Sequence, residues 1–179
     1  MLIKKNVFVI IGSASSSSAN SKLIDHIERL TIERWNLTIY KDLKDLPHFN
    51  PELSINNTPP SVIEFRQLVE QADGVIICTP EYVFSIPSGL KNAIEWCVAT
   101  TVFSDKPVGL ITASASGVKG HEELQLIMKT IMALFTKETT LLIQGVKGKI
   151  NEIGEITDKE TQVAIKKFIA SFKKVLDKQ

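Results

Sequence analysis

Residues 6–30 read NVFVIIGSASSSSANSKLIDHIERL, and this stretch decides the fold. Its apolar run from Val7 to Ile11 is continuous, which is typical of a strand buried on both faces. Leu23, Ile27 and Leu30 then follow at helical spacing and predict a helix over about residues 20–34. A buried strand that passes through a short polar turn into an amphipathic helix indicates a βα unit.

The same alternation continues to the end of the chain. Strands are predicted over residues 37–40, 75–78, 108–111 and 141–143, the first of them alternating and therefore near a sheet edge. A helix is predicted to begin at Pro60, a second to run from Ser88 to Ala99, and a third to carry the stripe that includes Leu124. A last helix carries Ile165, Ile169, Phe172 and Leu176. The inward stripes are Val62, Phe65, Val69 and Ala72; Leu90, Ile94 and Cys97; and Leu124, Ile127, Met128, Ile131 and Phe135.

Strands that are apolar on both faces require helices on both sides of a parallel sheet. We therefore predict an α/β fold, a doubly wound five-stranded parallel sheet with the order 2-1-3-4-5. The 179 residues are expected to form a single domain, 1–179. This strand order gathers the loops after strands 1, 3 and 4 at one crevice.

Composition excludes several function classes. The 21 Lys and Arg residues against 20 Asp and Glu give a net charge of +1, which argues against nucleic-acid and membrane-surface partners. No apolar run is long enough for a signal peptide or membrane span, so a cytoplasmic protein is expected. Cys78 and Cys97 lie in apolar runs and are predicted to be buried thiols. The three histidines show no ligand spacing, and no metal is expected.

The first loop, residues 12–22, combines closely spaced serines with the start of a helix. Helix N-terminal N–H groups and hydroxyls favour an anion such as phosphate. The loop lacks both GxGxxG and GxxxxGK[ST], which disfavours a dinucleotide fingerprint and a Walker-type site. The alternative is a serine-rich turn with a helix cap at Ser18 or Asn20.

The second loop reads TPEYVFSIPSGLKNAIEW over residues 79–96. Two prolines and two aromatic residues make a stiff, apolar surface of the kind that supports a flat ring. The alternative is that Tyr82 and Phe84 pack in the core.

This second loop closely resembles the signature of the NADPH-dependent FMN reductase family, whose members are flavodoxin-like three-layer sandwiches and include azo-dye, quinone and chromate reductases. The Gly-Ser start of the first loop and LPHFNPEL, residues 46–53, resemble the same family. The resemblance implies an NAD(P)H-dependent oxidoreductase that binds FMN. It would pass electrons from NADPH or NADH to a quinone, azo compound, free flavin or metal oxyanion by a ping-pong mechanism.

The resemblance also implies roles for particular residues. The FMN phosphate is expected to contact Ser13, Ser15, Ser18, Ala19 and Asn20. Pro80, Glu81, Tyr82 and Val83 are expected along the isoalloxazine ring, and Ser114, Ala115, Ser116 and Gly117 are expected to close over its other side. No side chain is assigned as catalytic, because the flavin carries the chemistry. His121 is expected to be a solvated residue at a helix start.

Two positions depart from the family pattern. Arginine is common in the family where this chain has Ser15, so one charge-assisted phosphate contact is missing. Asparagine is common at the position of Val83, where it can donate a hydrogen bond that valine cannot. These departures keep open the alternative of a flavin-free binding protein on the same scaffold. A second alternative is a flavodoxin-type electron carrier, although such carriers are typically acidic and the net charge of +1 argues against it.

The resemblance further implies a homodimer or homotetramer with the flavin near a subunit interface. Phe84, Trp96 and Val98 are the apolar residues beside the second loop that are expected to contribute to it.

Overall fold

A computed structural model describes residues 4–15 and 17–178. Its five strands are β1 (Lys5–Ile11), β2 (Trp35–Tyr40), β3 (Gly74–Thr79), β4 (Val108–Ser114) and β5 (Thr140–Gln144). Its five α-helices are α1 (Ala19–Thr31), α2 (Pro60–Gln71), α3 (Ser88–Glu95), α4 (Val118–Thr130) and α5 (Lys159–Leu176). The strands form one parallel sheet with the order β2-β1-β3-β4-β5, which confirms the predicted fold class and order.

The continuous apolar strands are explained by two cores, one on each face of the sheet. Because side chains alternate along a strand, Phe8 and Ile10 face α2, α3 and α4, whereas Val7, Val9 and Ile11 face α1 and α5. β2 lies at an edge and is buried fully only at Trp35, as its alternating pattern predicts. Cys78 and Cys97 are buried free thiols, which confirms that prediction.

Helices α1 and α3 end earlier than the sequence predicts. The α3 stripe extends to Cys97 and the helix is predicted to reach residue 99, but α3 ends at Glu95. The reason is that the Trp96 carbonyl accepts from the Arg66 guanidinium, while the Thr100 N–H donates to the Cys97 carbonyl. In α1 the Arg34 N–H donates to the Thr31 carbonyl at 2.8 Å, a tight turn that closes the helix before β2.

The α4 stripe includes two residues that are not helical, Ile131 and Phe135. The helix ends at Thr130, so Phe135 lies beyond it, although its ring still packs against the same core. Met132, with φ of 60°, redirects the chain after the helix. Phe135 is therefore partly buried because the chain returns to the core after α4, and not because the helix continues.

Close approach of two strand ends explains the glycine that follows β1. A Cβ added at Gly12 would stand 2.4 Å from the Thr79 Oγ1 at the end of β3. The Gly12 N–H donates to the Cys78 carbonyl at 2.9 Å, so the loop after β1 begins in direct contact with β3. This contact brings the first two loops together at the carboxyl edge of the sheet.

Candidate active site

The loops at the carboxyl edge of the sheet enclose a cavity of about 800 Å³. Loops after β1, β3, β4 and β5 all contribute to its wall. The lining residues are Ser13, Ser15, Ser17, Ser18, Ala19, Asn20, Lys22, Pro80, Glu81, Tyr82, Ala113, Ser114, Ala115, Gly145, Val146, Lys147, Gly148 and Ile150.

The serine loop, residues 12–18, ends at a capped helix; its Ser16 lies outside the described residues. Ser18 is the N-cap of α1, and its Oγ accepts from the Ser21 N–H at 3.1 Å. The N–H groups of Ala19 and Asn20 belong to the first turn, where a helix offers no internal acceptor. No acidic side chain stands in this turn. One end of the cavity therefore presents N–H and hydroxyl donors with the positive end of a helix dipole.

The side chain of Asn20 makes hydrogen bonds that hold the start of α1 against the sheet. Its Nδ2 donates to the Ala113 carbonyl at 3.2 Å, and its Oδ1 accepts from the Cys78 thiol at 3.3 Å. Since Asn20 is buried and both polar ends of its amide are engaged, the residue ties the start of α1 to β3 and β4. Only its backbone N–H is available to a ligand.

The proline loop, residues 80–87, turns sharply between Tyr82 and Ser85. These two residues exchange both backbone hydrogen bonds, at 2.8 and 3.0 Å. The two residues between them, Val83 and Phe84, have φ of 50° and 59°, the pattern of a type I′ turn. Their side chains are 95% and 76% exposed, so the turn projects from the cavity instead of lining it.

Glu81 joins the proline loop to the loop after β4. Its carboxylate accepts from the Gly117 N–H at 3.1 Å and from the Gly120 N–H at 2.8 Å, at the start of α4. Gly117 has φ of 83°, and a Cβ added at Gly120 would meet the Glu81 Cβ at 3.2 Å. The carboxylate therefore clamps two walls of the cavity and compensates the dipole of α4.

Two lysines add positive charge to the cavity. Lys22 is anchored, because its Nζ donates to the carbonyls of Asn151 and Glu152 at 3.4 and 3.1 Å. Lys147 follows β5 and is exposed at the cavity wall. Together with the start of α1, these ammonium groups favour an anionic ligand.

His121 is not the solvated residue that the sequence suggested. It is half-buried in α4, and its Nδ1 lies 2.9 Å from the Thr112 Oγ1. Burial lowers the pKa of His121, and the nearby Glu122 opposes that shift.

Comparison with known proteins identifies the family. A sequence model described as NADPH-dependent FMN reductase matches residues 5–146. The chain belongs to this family. It is 30% identical over 174 residues to the NADH:(hydroxy)cinnamate reductase subunit CrdA of Vibrio ruber, covering 93% of this chain and 85% of that protein. It is 28% identical to a quinone reductase of Escherichia coli K12, with 88% of each chain covered.

A solved structure is similar over nearly the whole chain. The flavoenzyme NAD(P)H:(acceptor) oxidoreductase FerB from Paracoccus denitrificans superposes with a TM-score of 0.86 at 27% identity, covering 97% of this chain and 98% of that one. This flavoenzyme therefore shares the fold described above.

The residues at the cavity fit the FMN of this family. A phosphate needs N–H and O–H donors without nearby free carboxylates, and the start of α1 supplies such donors. Glu81 is the one carboxylate in the described wall, and both of its oxygens are engaged by glycine N–H groups. Pro80 and Tyr82 provide apolar surface next to the serine loop, where a planar ring attached to the phosphate can lie.

The structure brings together most of the site residues that the sequence predicted. Those in the cavity wall are Ser13, Ser15, Ser18, Ala19, Asn20, Pro80, Glu81, Tyr82, Ser114 and Ala115. Val83, Ser116 and Gly117 lie outside the described wall. Gly117 acts on the site through Glu81, and the left-handed backbone at Val83 explains why asparagine suits that position, since asparagine tolerates positive φ. FMN binding by all of these residues stays a prediction.

Sequence reasoning missed the wall that follows β5. This wall contains a short 3₁₀ turn over Val146–Gly148, and its lining residues are Gly145, Val146, Lys147, Gly148 and Ile150. The available signal was the sequence GVKGK directly after β5, where two glycines flank a lysine at the carboxyl edge of the sheet.

Trp96 is not available for an interface. Its ring is fully buried and its indole N–H donates to the Pro47 carbonyl at 2.8 Å. Phe84 and Val98, in contrast, are exposed. Within the described residues, no helix has the length and apolarity to cross a membrane, and no group of three or more His, Cys, Asp or Glu side chains is arranged to hold a metal ion.

Proposed function

We propose that this protein is an FMN-dependent NAD(P)H oxidoreductase whose acceptors are small molecules of the quinone and flavin type. Its membership of the FMN reductase family and the names of its relatives support this activity. The observation that carries the proposal is the joining, in one cavity, of a donor-rich helix start in the serine loop and an apolar ledge in the proline loop.

Each wall of the cavity has a distinct task in this proposal. The serine loop and the first N–H groups of α1 hold the FMN phosphate, with Lys22 and Lys147 adding positive charge. Backbone groups of Pro80 to Tyr82 orient the ring, and Ser114 and Ala115 cover it from the side of β4. When bound, FMN supplies the hydride and electron-transfer chemistry.

Glu81 in the cavity wall and His121 in α4 have positioning roles in this proposal. Glu81 is engaged by two N–H groups and His121 by Thr112, so neither is placed here as an acid or base. We propose a ping-pong order in which the oxidised donor leaves before the acceptor enters. Parallel double-reciprocal plots at varied acceptor concentrations are the expected result, and intersecting plots would contradict it.

The phosphate position can be tested by Ser18→Asp. Aspartate is as good an N-cap as serine, so α1 should keep its cap and the protein its stability. The added carboxylate would stand against the phosphate, and the Kd for FMN should rise at least roughly 100-fold. Flavin fluorescence quenching measures the Kd, and thermal unfolding checks the fold.

A matched control places the same charge at another helix start. Ser61→Asp lies in the first turn of α2, away from the cavity, and should leave the Kd for FMN unchanged. If Ser18→Asp also binds FMN normally, the phosphate does not lie at α1. A purified wild-type protein that is colourless and takes up no added FMN would overturn the oxidoreductase proposal and the carrier alternative together.

Reduction kinetics separate an enzyme from an electron carrier. Under anaerobic conditions, NADPH or NADH should bleach the flavin of the reductase at turnover rates, and added quinone should restore its colour. A flavin that neither nicotinamide bleaches would favour the carrier.

We also propose that the protein is a homodimer or homotetramer. The exposed apolar side chains of Phe84, in the proline loop, and of Val98, after α3, support an interface between subunits. Sedimentation velocity at micromolar concentration tests the assembly, and a single monomer peak would overturn it.

A further inference from the structure

A second cavity, of about 340 Å³, borders the first one. The two cavities share Ser13 and Tyr82, so a ligand on the ring ledge of the first can extend into the second. The second cavity lies between the serine loop, the segment 41–48 after β2, and the start of α3.

Positively charged and donor side chains from the segment after β2 line this second cavity. They are Lys41, Lys44 and His48. Asp42 and Asp45 alternate with the lysines in sequence but do not line the cavity. Burial, together with nearby carboxylates that include Asp45 and Asp42, raises the pKa of Tyr40. The described wall therefore contains two ammonium groups and no carboxylate.

The start of α3 adds backbone donors to the same wall. Its cap residue is Pro87, and no side chain caps the helix. Ser88 and Gly89 line the cavity, and their N–H groups belong to the first turn, where the helix offers no internal acceptor. The positive end of the α3 dipole thus faces the same space as the two lysines.

The histidine segment is fixed against α3 by Asn92. The Asn92 Oδ1 accepts from the Phe49 N–H at 2.7 Å, and its Nδ2 donates to the Pro47 carbonyl at 3.0 Å. His48 lies between these two contacts. The wall is therefore held in place on both sides of His48 before any ligand arrives.

We propose that this second cavity binds a phosphate group of the reduced nicotinamide donor, while the first cavity holds FMN. The inference rests on the proposed function. Lysine ammonium groups and helix N–H groups are standard phosphate partners. Every nicotinamide donor carries phosphates, whereas a quinone acceptor carries none and only a flavin nucleotide acceptor would carry one, and the serine loop already serves the phosphate of the bound FMN. The ligand phosphate is either the diphosphate, which NADH and NADPH share, or the 2′-phosphate, which only NADPH has.

The test is the double variant Lys41→Gln with Lys44→Gln. We expect the KM for NADPH to rise about tenfold, from the loss of two charge-assisted contacts at the surface. The kcat, the KM for a quinone and the Kd for FMN should stay unchanged. A parallel rise in the KM for NADH assigns the diphosphate to this cavity, and an unchanged KM for NADH assigns the 2′-phosphate.

A binding measurement without turnover provides the second readout. Calorimetric titration of the FMN-loaded protein with adenosine 2′,5′-bisphosphate and with ADP should show binding of at least one of them. The double variant should weaken this binding about tenfold. Loss of binding in the variant would place the phosphate at the lysines independently of any rate.

The matched control is Lys129→Gln with Lys174→Gln. It removes the same net charge from exposed positions on α4 and α5, outside the walls of both cavities. If both double variants raise the donor KM equally, net charge and not the cavity is responsible, and the inference is overturned. An unchanged donor KM in the Lys41 and Lys44 variant also overturns it.

Failure of this inference is distinguishable from failure of the proposed function. A wild-type protein that binds FMN and oxidises nicotinamides, but whose lysine variant behaves as wild type, overturns the donor site alone. A wild-type protein that takes up no FMN overturns the function and the donor site with it.

Discussion

The serine loop and the proline loop flank the same cavity, but they are stabilised in different ways. The serine loop ends in a local cap, with Ser18 accepting from a residue three positions further along the chain. The proline loop holds Val83 and Phe84 at positive φ and is fixed by the contacts of Glu81 with residues 36 and 39 positions away. A donor-rich turn can thus be specified locally, whereas a shaped ledge depends on tertiary contacts.

The largest expected effect comes from breaking the tertiary clamp of the proline loop. Glu81→Ala leaves the N–H groups of the buried Gly117 and Gly120 without their acceptor. We expect a loss of about 3 kcal/mol in the free energy of unfolding, since hydrogen bonds to charged groups contribute roughly 1.5–3 kcal/mol each. Chemical denaturation measures this loss.

A control and a milder variant sharpen the Glu81 prediction. Glu122→Ala removes an exposed carboxylate that pairs with Lys119, and it should cost less than about 0.5 kcal/mol. Glu81→Gln keeps one acceptor oxygen and should fall between the two. Equal effects of Glu81→Ala and Glu122→Ala would show that the clamp contributes nothing.

The serine loop is tested by restoring the charge that the family commonly has. Ser15→Arg adds a guanidinium at the cavity wall, and the Kd for FMN should fall about tenfold through a charge-assisted contact. Asn56→Arg adds the same charge at an exposed position outside the cavity and should leave the Kd unchanged. If Ser15→Arg does not strengthen binding, Ser15 is not near the phosphate.

Backbone strain in the proline loop should be removable. A β-branched residue with left-handed backbone costs about 1–2 kcal/mol, and asparagine tolerates this conformation. Val83→Asn should therefore stabilise the protein by about 1 kcal/mol, measured by thermal unfolding. Val163→Asn, at an exposed position on α5, is the matched control and should not stabilise. A destabilised Val83→Asn variant would mean that the valine side chain makes a stabilising contact.

The smallest expected effect concerns pH and the half-buried His121. Burial lowers the pKa of His121 below the ordinary 6.5, so the unfolded chain binds the proton more readily than the native protein. The contribution of neutral His121 to the free energy of unfolding should be fully present above pH 6.5 and should decrease as the pH falls toward the lowered pKa. The pKa of His26 is shifted in the same direction, because burial and the nearby Arg29 and Lys166 lower it.

Unfolding measured across this pH window checks the prediction. His121→Asn should make the free energy of unfolding less dependent on pH in this window, and adding His26→Asn should reduce the dependence further. A pH dependence that is identical in wild type and His121→Asn would contradict the role of His121.

Much of the fold could be predicted from the sequence, because burial on both faces leaves a continuous apolar pattern. Val7 to Ile11 and Val75 to Cys78 show this pattern, and it led directly to a parallel sheet. Helix ends were less predictable, since the end of α3 depends on the Arg66 guanidinium, which approaches from α2. Such a contact leaves no periodic signal in either segment.

The site divides in the same way. The serine loop could be predicted because its donors are consecutive in sequence and its cap is local. The clamp of Glu81 on Gly117 and Gly120 required knowledge of how two loops meet. Lys147 was missed because its position in the wall depends on the turn after β5. Trp96 was wrongly expected at an interface, because a large aromatic residue gives the same sequence signal in a core and at an interface.

The two buried thiols have a consequence if the protein reduces quinones as proposed above. Quinones are soft electrophiles that alkylate thiolates, so an exposed cysteine near the cavity would be consumed by the enzyme's own acceptors. Burial raises the pKa of Cys97 to about 12 and also raises that of Cys78. Both cysteines of the chain are therefore inaccessible and protonated. Under the proposed function, the fold that shapes the cavity thus also gives the protein chemical resistance to its quinone acceptors.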